Sequence, residues 1–117
     1  MPDFTTDRAR GHKLLPDSVA KKIPDLMTHD GAGMDAPIAV KLFGPGRLTY
    51  FITEWDGRDE VYGYCLSSLG RDCDEWGYSS LTLLSEVSHP QFPNHPAIER
   101  DLHFDTGISV REALATA

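Results

Sequence analysis

The sequence has 117 residues, of which 40% are hydrophobic and 25% charged, and its formal net charge is −7 at pH 7. This length and composition suit one globular domain with one core and exclude a disordered chain. No apolar run approaches the roughly 20 residues of a membrane-spanning helix, residues 1–13 lack the apolar stretch of a secretory signal, and the acidic balance argues against direct nucleic-acid binding. We therefore expect a cytoplasmic protein.

The N-terminal third alternates between polar and helix-forming segments. Residues 1–13 are polar, and we expect a flexible N-terminal segment ahead of a single α+β domain at 14–117. Pro16 precedes a stretch with apolar residues at helical spacing, which predicts a short helix that Pro24 limits in length. Residues 29–37 are rich in turn-forming types and indicate a connection.

Three strand candidates follow at 38–43, 48–55 and 60–66, each rich in β-branched and aromatic residues. The turn sequences Gly44-Pro45-Gly46 and Asp56-Gly57 separate them. Strands joined in sequence by short turns predict an antiparallel meander.

Residues 69–76 are charged and predict an irregular loop. A helix is predicted from about residue 80 to 87, with Ser79 or Ser80 as its N-cap. A proline-rich loop is expected at 89–96 and a fourth strand at 98–104. Ser109 and Glu112 have capping-box spacing and predict a last helix. The predicted fold is α+β, an antiparallel sheet of about four strands (a meander plus a later strand) with two or three short peripheral helices.

The two cysteines, Cys65 and Cys73, do not form a C-x-x-C motif, which argues against a zinc ribbon. A disulfide between them would suit a secreted protein, and nothing else in the sequence indicates secretion. We predict two free thiols, with Cys65 as a small buried residue of its strand.

Five short segments occur in a fixed order along the chain: Val40-Lys-Leu-Phe43, Thr53-Glu54, Gly63-Tyr-Cys-Leu66, Glu75-Trp-Gly-Tyr-Ser-Ser-Leu81 and Ile98-Glu-Arg-Asp-Leu-His-Phe104. They resemble the K-L-F, T-E-x-D, F-G-x-C-D-L-G, E-L-G-Y-V-S-L and E-R-D-L-x-F segments of the domain-of-unknown-function family 2958, over about residues 14–104. The chain departs from that pattern at Ser67-Ser68, where the family tends to have Asp-Leu, and at Trp76, where it tends to have Leu.

This resemblance carries no activity with it. Members of the family occur on conjugative plasmids and integrated elements, often near anti-restriction genes. The resemblance therefore implies a protein of a mobile genetic element, and that context is an association rather than a mechanism.

Carboxylates and histidines are the candidates for catalysis. Glu99, Asp101 and His103 alternate along the predicted fourth strand, and Glu54 lies at the end of the second. Such groups could perform acid–base chemistry or bind a metal, and an alternative function is therefore a small metal-dependent or acid–base enzyme using Glu54, Asp101 and His103. The alternation equally indicates the solvated face of a half-buried strand.

Arg100 lies on the apolar side of that predicted strand. A guanidinium there requires a carboxylate partner, and we expect Glu54 or Glu75 to supply it.

His89, His95 and His103 could join Asp101 in a metal site, but no H-E-x-x-H pair places two ligands on one rigid element. A nucleophile elbow and a phosphate-binding loop are also missing from the sequence. We predict no catalytic residue, no metal ligand and no cofactor.

The favoured hypothesis is a small acidic, non-enzymatic protein that binds a partner with a basic surface. The partner would be a nucleic-acid-binding host defence protein, and the activity of an anti-restriction or anti-CRISPR type. Trp76 follows acidic residues in a polar loop and suits an exposed interface anchor. The predicted contact residues are acidic or aromatic: Glu54, Asp56, Asp59, Glu60, Asp72, Asp74, Glu75, Trp76 and Tyr78.

Overall fold

The computed structural model describes residues 3–116, and its central feature is a β-sheet. Met1, Pro2 and Ala117 of the predicted ranges lie outside them. In the described chain the strands are β1 (Val40–Phe43), β2 (Thr49–Trp55), β3 (Glu60–Leu66), β4 (Glu75–Ser80) and β5 (Glu99–Arg100). They form one antiparallel sheet in the order β4-β3-β2-β1-β5, which confirms the α+β class and the meander of the first three strands.

Short helices cover this sheet. Within residues 3–116 the α-helices are α1 (Asp7–Arg10), α2 (Asp17–Ala20), α3 (Leu81–Glu86) and α4 (Val110–Ala115), and 3₁₀ turns occupy Gly33–Asp35 and Arg71–Cys73. None of these helices is long and apolar enough to cross a membrane.

Side-chain bonds fix the ends of two helices. The Ser80 side chain accepts from the Leu83 amide and begins α3. Ser109 and Glu112 form the predicted capping box at the start of α4. Both helix starts could be predicted from the sequence, because capping depends on the local spacing of residues alone.

Two predictions about strands were wrong. The segment expected as a charged loop continues into β4, which pairs along its length with β3 from Glu75 opposite Cys65 to Ser80 opposite Glu60. The strand expected at 98–104 is confined to β5, because the Asp101 carboxylate accepts from the His103 amide and turns the chain.

The sheet separates two hydrophobic clusters. One cluster packs the N-terminal segment and α3 against one face, which we call the covered face: Leu14, Leu15, Ala20, Ile23, Val40, Leu42, Ile52, Trp55, Val61, Leu81, Leu84 and Ile98. The other packs the chain around α4 against the opposite face, which we call the cleft face: Ile38, Phe51, Leu66, Val110 and Ala113. Alternation along each strand distributes the side chains between the two faces.

The N-terminal segment is partly docked on the covered face. The Arg10 side chain is 0% exposed and pairs with Asp7 at 2.6 Å. It also donates to the carbonyl oxygens of Ile98 at 2.6 Å and Ser85 at 3.2 Å. This arginine therefore joins α1 to α3 and to the approach of β5, within a segment that sequence reasoning expected to be flexible.

Candidate functional site

A β-bulge in β2 determines which side chains reach the cleft face. Ile52 pairs with Gly63, but the next pair along the strands is Glu54 with Tyr62, so Thr53 is an extra residue. In a regular ladder Thr53 would oppose Tyr62 and Glu54 would oppose Val61, on the covered face. The bulge instead puts Glu54 on the same face as Tyr62.

Glu54 is 4% exposed, and its two carboxylate oxygens hold the chain that crosses in front of it. Oε1 accepts from the Met27 amide at 2.9 Å, and Oε2 accepts from the His29 amide at 2.6 Å. Met27 has a φ of 71°, a left-handed conformation that non-glycine residues rarely adopt. The two bonds to Glu54 help to maintain this unusual backbone.

Aromatic side chains lie beside Glu54 on the same face of the sheet. The Tyr62 and Trp76 rings are stacked, with centroids 5.6 Å apart and planes at 14°. Tyr78 lies 4.8 Å from Tyr62, and Tyr64 meets Trp76 edge-on at 5.4 Å. Residues two apart on β3 and β4 share a face, and cross-strand pairing brings the two sets together.

The carboxylate and the aromatic wall enclose a cavity of about 440 Å³, which we call the aromatic cleft. Its volume is within the range of roughly 300–1,000 Å³ typical of ligand pockets. The lining includes the segment around His29 and Asp30, Thr53 and Glu54 of the bulge, and the rings of Tyr62, Trp76 and Tyr78, but no lysine or arginine among the described residues.

The electrostatic character of the aromatic cleft is negative. Burial raises the pKa of the Tyr62 hydroxyl, and nearby Tyr78, Glu54 and Asp30 raise it further. Glu54 has no side-chain nitrogen of a lysine, arginine or histidine within 4 Å among the residues described. The buried Nε2 of His29 also lacks a hydrogen-bond partner in this part of the chain.

Besides Glu54, three of the predicted contact carboxylates perform structural roles. Asp56 accepts from the amides of residues 58–60, and the Arg58 amide is the main cause of its lowered pKa. Asp59 binds the Ser80 hydroxyl and the Thr82 amide and hydroxyl at the start of α3. These bonds lower the pKa of Asp59, with Ser80 contributing most.

Asp74 forms a bidentate pair with Arg47, with both nitrogen–oxygen distances at 2.6 Å, and accepts from the Ser67 amide at 2.8 Å. Arg47 lowers the pKa of Asp74 to about 2. This carboxylate is therefore neutralised within the chain.

The remaining predicted contact residues include three free carboxylates and two aromatic side chains. Glu60, Asp72 and Glu75 are exposed, and their side chains make no hydrogen bond or ion pair with any residue from 3 to 116. Tyr78 is 56% exposed. Trp76 lies on β4 and is half-buried against the cluster of the cleft face, so the expectation of a tryptophan in an irregular loop was wrong.

The two segments that carry the predicted contact residues lie at opposite ends of the β3–β4 pair. The turn before Glu60 is at one end and Asp72 is beyond the other, a separation of about 20 Å for a strand of this length. The aromatic cleft occupies the face between them.

The groups of the alternative enzyme are not brought together. Glu54 contacts the amides of the crossing segment, whereas Asp101 pairs with Lys41 at 3.2 Å and His103 is exposed. Asp101 lies two strands away from β2 in the sheet. No cluster of three or more histidine, cysteine or acidic groups suited to a metal occurs among residues 3–116.

The expected ion pair of Arg100 was also wrong. Arg100 pairs with Leu42 across the ladder and lies on the covered face, whereas the bulge turns Glu54 to the cleft face. Its Nε donates to the Lys13 carbonyl oxygen at 3.4 Å instead, and burial lowers the pKa of its guanidinium.

Both cysteines are free thiols, as predicted. Cys65 is half-buried rather than fully buried, and this burial raises the pKa of its thiol. Cys73 is exposed in the 3₁₀ turn before β4.

The fold and the site define a small antiparallel α+β domain with an acidic, aromatic cleft beside its edge strand. Over residues 14–117 the chain matches a family described as protein of unknown function (DUF2958), and it belongs to this family. The resemblance seen in the sequence is thereby confirmed. No curated protein and no solved structure matches the chain at a significant level.

Proposed function

We propose that this chain is a non-enzymatic binding module that docks on a basic surface of a partner protein through the aromatic cleft and its rim. The buried carboxylate of Glu54 carries the proposal. It opens onto the cleft and lacks a cationic partner among the described residues. Buried charges in proteins are normally compensated, and a cation from a partner would compensate this one.

The rim of the aromatic cleft supports the same function. Asp30 lines the cleft, and Glu60 lies on the cleft-facing side of β3 two residues before Tyr62. Both side chains are exposed and unpaired within residues 3–116. Free carboxylates around an aromatic patch favour association with positively charged surfaces and speed the encounter at low salt.

The second part of the proposal concerns the biological setting of the protein and the class of its partner. We propose that the module acts in the cytoplasm as an accessory protein of a mobile genetic element, and that its partner is a nucleic-acid-binding host defence protein. The resemblance to proteins of conjugative elements and the net charge of −7 support this setting. An acidic surface can occupy the basic groove that such a partner uses for nucleic acid.

Affinity capture from a nuclease-treated bacterial lysate tests the proposal. The baits are the unaltered chain, a rim variant (Asp30→Lys with Glu60→Lys) and a control variant (Asp17→Lys with Glu86→Lys). The control positions are exposed on α2 and α3, which lie over the covered face, and the variants change the net charge equally. Bound proteins are quantified by mass spectrometry.

We expect a basic partner that remains bound to the unaltered and control baits and is reduced at least tenfold on the rim variant. Its capture should weaken as salt rises, since the contacts are electrostatic. Equal capture by the rim and control variants, or no saturable partner in lysates that contain active defence systems, would overturn the proposal.

A further inference from the structure

We infer that the aromatic cleft receives an arginine side chain of the partner protein, with its guanidinium against the carboxylate of Glu54. This inference rests on the proposed function and names the group that the site recognises. It follows from two features of the cleft: the unused acceptor positions of Glu54 and the stacked aromatic rings beside it.

The carboxylate of Glu54 retains acceptor capacity. Each oxygen accepts one backbone amide, from Met27 or from His29. An ionised carboxylate has about four lone-pair positions, so each oxygen keeps one for a further donor. Two parallel N–H groups of a guanidinium can use both oxygens at once, a geometry that a lysine ammonium cannot reproduce.

The aromatic wall suits a planar cation. The planes of Tyr62 and Trp76 differ by 14°, and Tyr78 is inclined to Tyr62 by 54°. A guanidinium stacks on such faces and is attracted by their negative π density, while its edge remains free to donate hydrogen bonds. The wall and Glu54 therefore favour the same planar, positively charged group.

The other described residues that line the aromatic cleft include no lysine or arginine, so a positive charge in the cleft would have to come from a ligand. Asp30 adds a second carboxylate to the cleft. The buried Nε2 atom of His29 adds no positive charge that is fixed by a carboxylate partner, since it makes no hydrogen bond within the described chain. A guanidinium has five N–H donors and can satisfy several acceptors together.

The test uses the whole chain, labelled with ¹⁵N, and three probes: the N-acetyl methylamides of arginine, lysine and citrulline. Citrulline keeps the planar shape of the arginine head group but has no charge. The indole N–H signal of Trp76 reports binding in the cleft, and that of Trp55, buried in the cluster on the covered face, is an internal control.

We expect arginine amide to shift the Trp76 signal saturably and to bind at least fivefold more tightly than lysine amide. Citrulline amide should give no saturable shift, and the Trp55 signal should stay constant. Equal shifts with arginine and citrulline amides, or no saturable shift with arginine amide, would overturn the inference.

Two variants locate the site. Glu54→Gln removes the charge and should weaken arginine binding by about tenfold or more, since hydrogen bonds to charged groups are the stronger ones. This change also alters an acceptor of the Met27 and His29 amides, so Tyr78→Ala provides a second variant at a 56% exposed position. It should weaken binding severalfold while the amide spectrum of the core remains unchanged; unchanged affinity in both variants would contradict the assigned site.

The two proposals fail separately. Rim-dependent capture of a basic protein without arginine binding in the cleft would leave the docking function intact and remove only the arginine assignment. Arginine binding without any rim-dependent protein partner would overturn the docking function and leave a site for small guanidinium compounds.

Discussion

Replacement of Arg10 by alanine tests whether the N-terminal segment is part of the folded domain. The Arg10 side chain is fully buried and donates to Asp7, Thr6, and the carbonyl oxygens of Ile98 and Ser85. Removal of one partner from a buried ion pair costs about 3–5 kcal/mol, because the remaining charge and the buried acceptors lose their compensation.

The loss from Arg10→Ala should fall near the lower limit of that range. Asp7 keeps the amides of Phe4 and Leu14 as donors, and its side chain is 14% exposed, so water and these amides still solvate it. We expect the free energy of unfolding to fall by about 3 kcal/mol. With an m-value of roughly 1.5 kcal/mol/M, the urea midpoint would then decrease by about 2 M.

Urea unfolding followed by tryptophan fluorescence measures this change, because Trp55 lies in the cluster that the N-terminal segment covers. Arg8→Ala is the matched control, since Arg8 is in the same helix but exposed. A loss below about 1 kcal/mol for Arg10→Ala, equal to that of Arg8→Ala, would refute the reasoning. It would show that the segment is loosely held, as the sequence alone suggested.

Two further predictions concern the sheet and its pH dependence. A Cβ atom on Gly63 would lie 2.0 Å from the Phe51 carbonyl oxygen, whereas one on Gly77, its cross-strand partner, would meet no atom within 4 Å. Thermal unfolding should therefore show a loss of about 3 kcal/mol for Gly63→Ala and little change or a small gain for Gly77→Ala, and equal effects would contradict the close approach at the bulge. Arg47 lowers the pKa of Asp74 from 3.8 to about 2, so this carboxylate stabilises the folded state above pH 4, and its contribution is lost as the pH falls from about 4 to 2. Arg47→Met should flatten that part of the stability–pH profile, and an unaltered profile would argue against the pair.

The sequence predicted those parts of the fold that depend on local spacing. Alternating apolar residues indicated the three strands of the meander, and the capping residues indicated where the last two helices begin. Strand β4 was missed because Glu75–Ser80 is polar and contains a glycine. It lies in the sheet because pairing with β3 satisfies its backbone, and a sequence pattern does not record such pairing.

The candidate site was harder to predict, for a related reason. Glu54 was identified as a candidate, but its face depends on a one-residue irregularity in the pairing of β2 with β3. Strict alternation from Ile52 would put Glu54 on the covered face with Arg100, whereas the bulge turns Glu54 to the cleft face. The segment that carries His29 and Asp30 reads as a turn-rich connection, and only the fold shows that it forms one wall of the aromatic cleft.

The separation of the two sheet faces has a practical consequence for labelling and fusion. Phe4 and the helix that contains Arg10 pack on the covered face, so an affinity tag or fluorophore joined ahead of them approaches the domain from the side away from Glu54. Helix α4 packs on the cleft face and contacts the 3₁₀ turn at Gly33–Asp35, whose Gly33 lines the aromatic cleft, so a bulky group attached after it would lie on the same face as the opening. Attachment at the amino end therefore leaves the aromatic cleft accessible on beads, on sensor chips and in two-hybrid fusions.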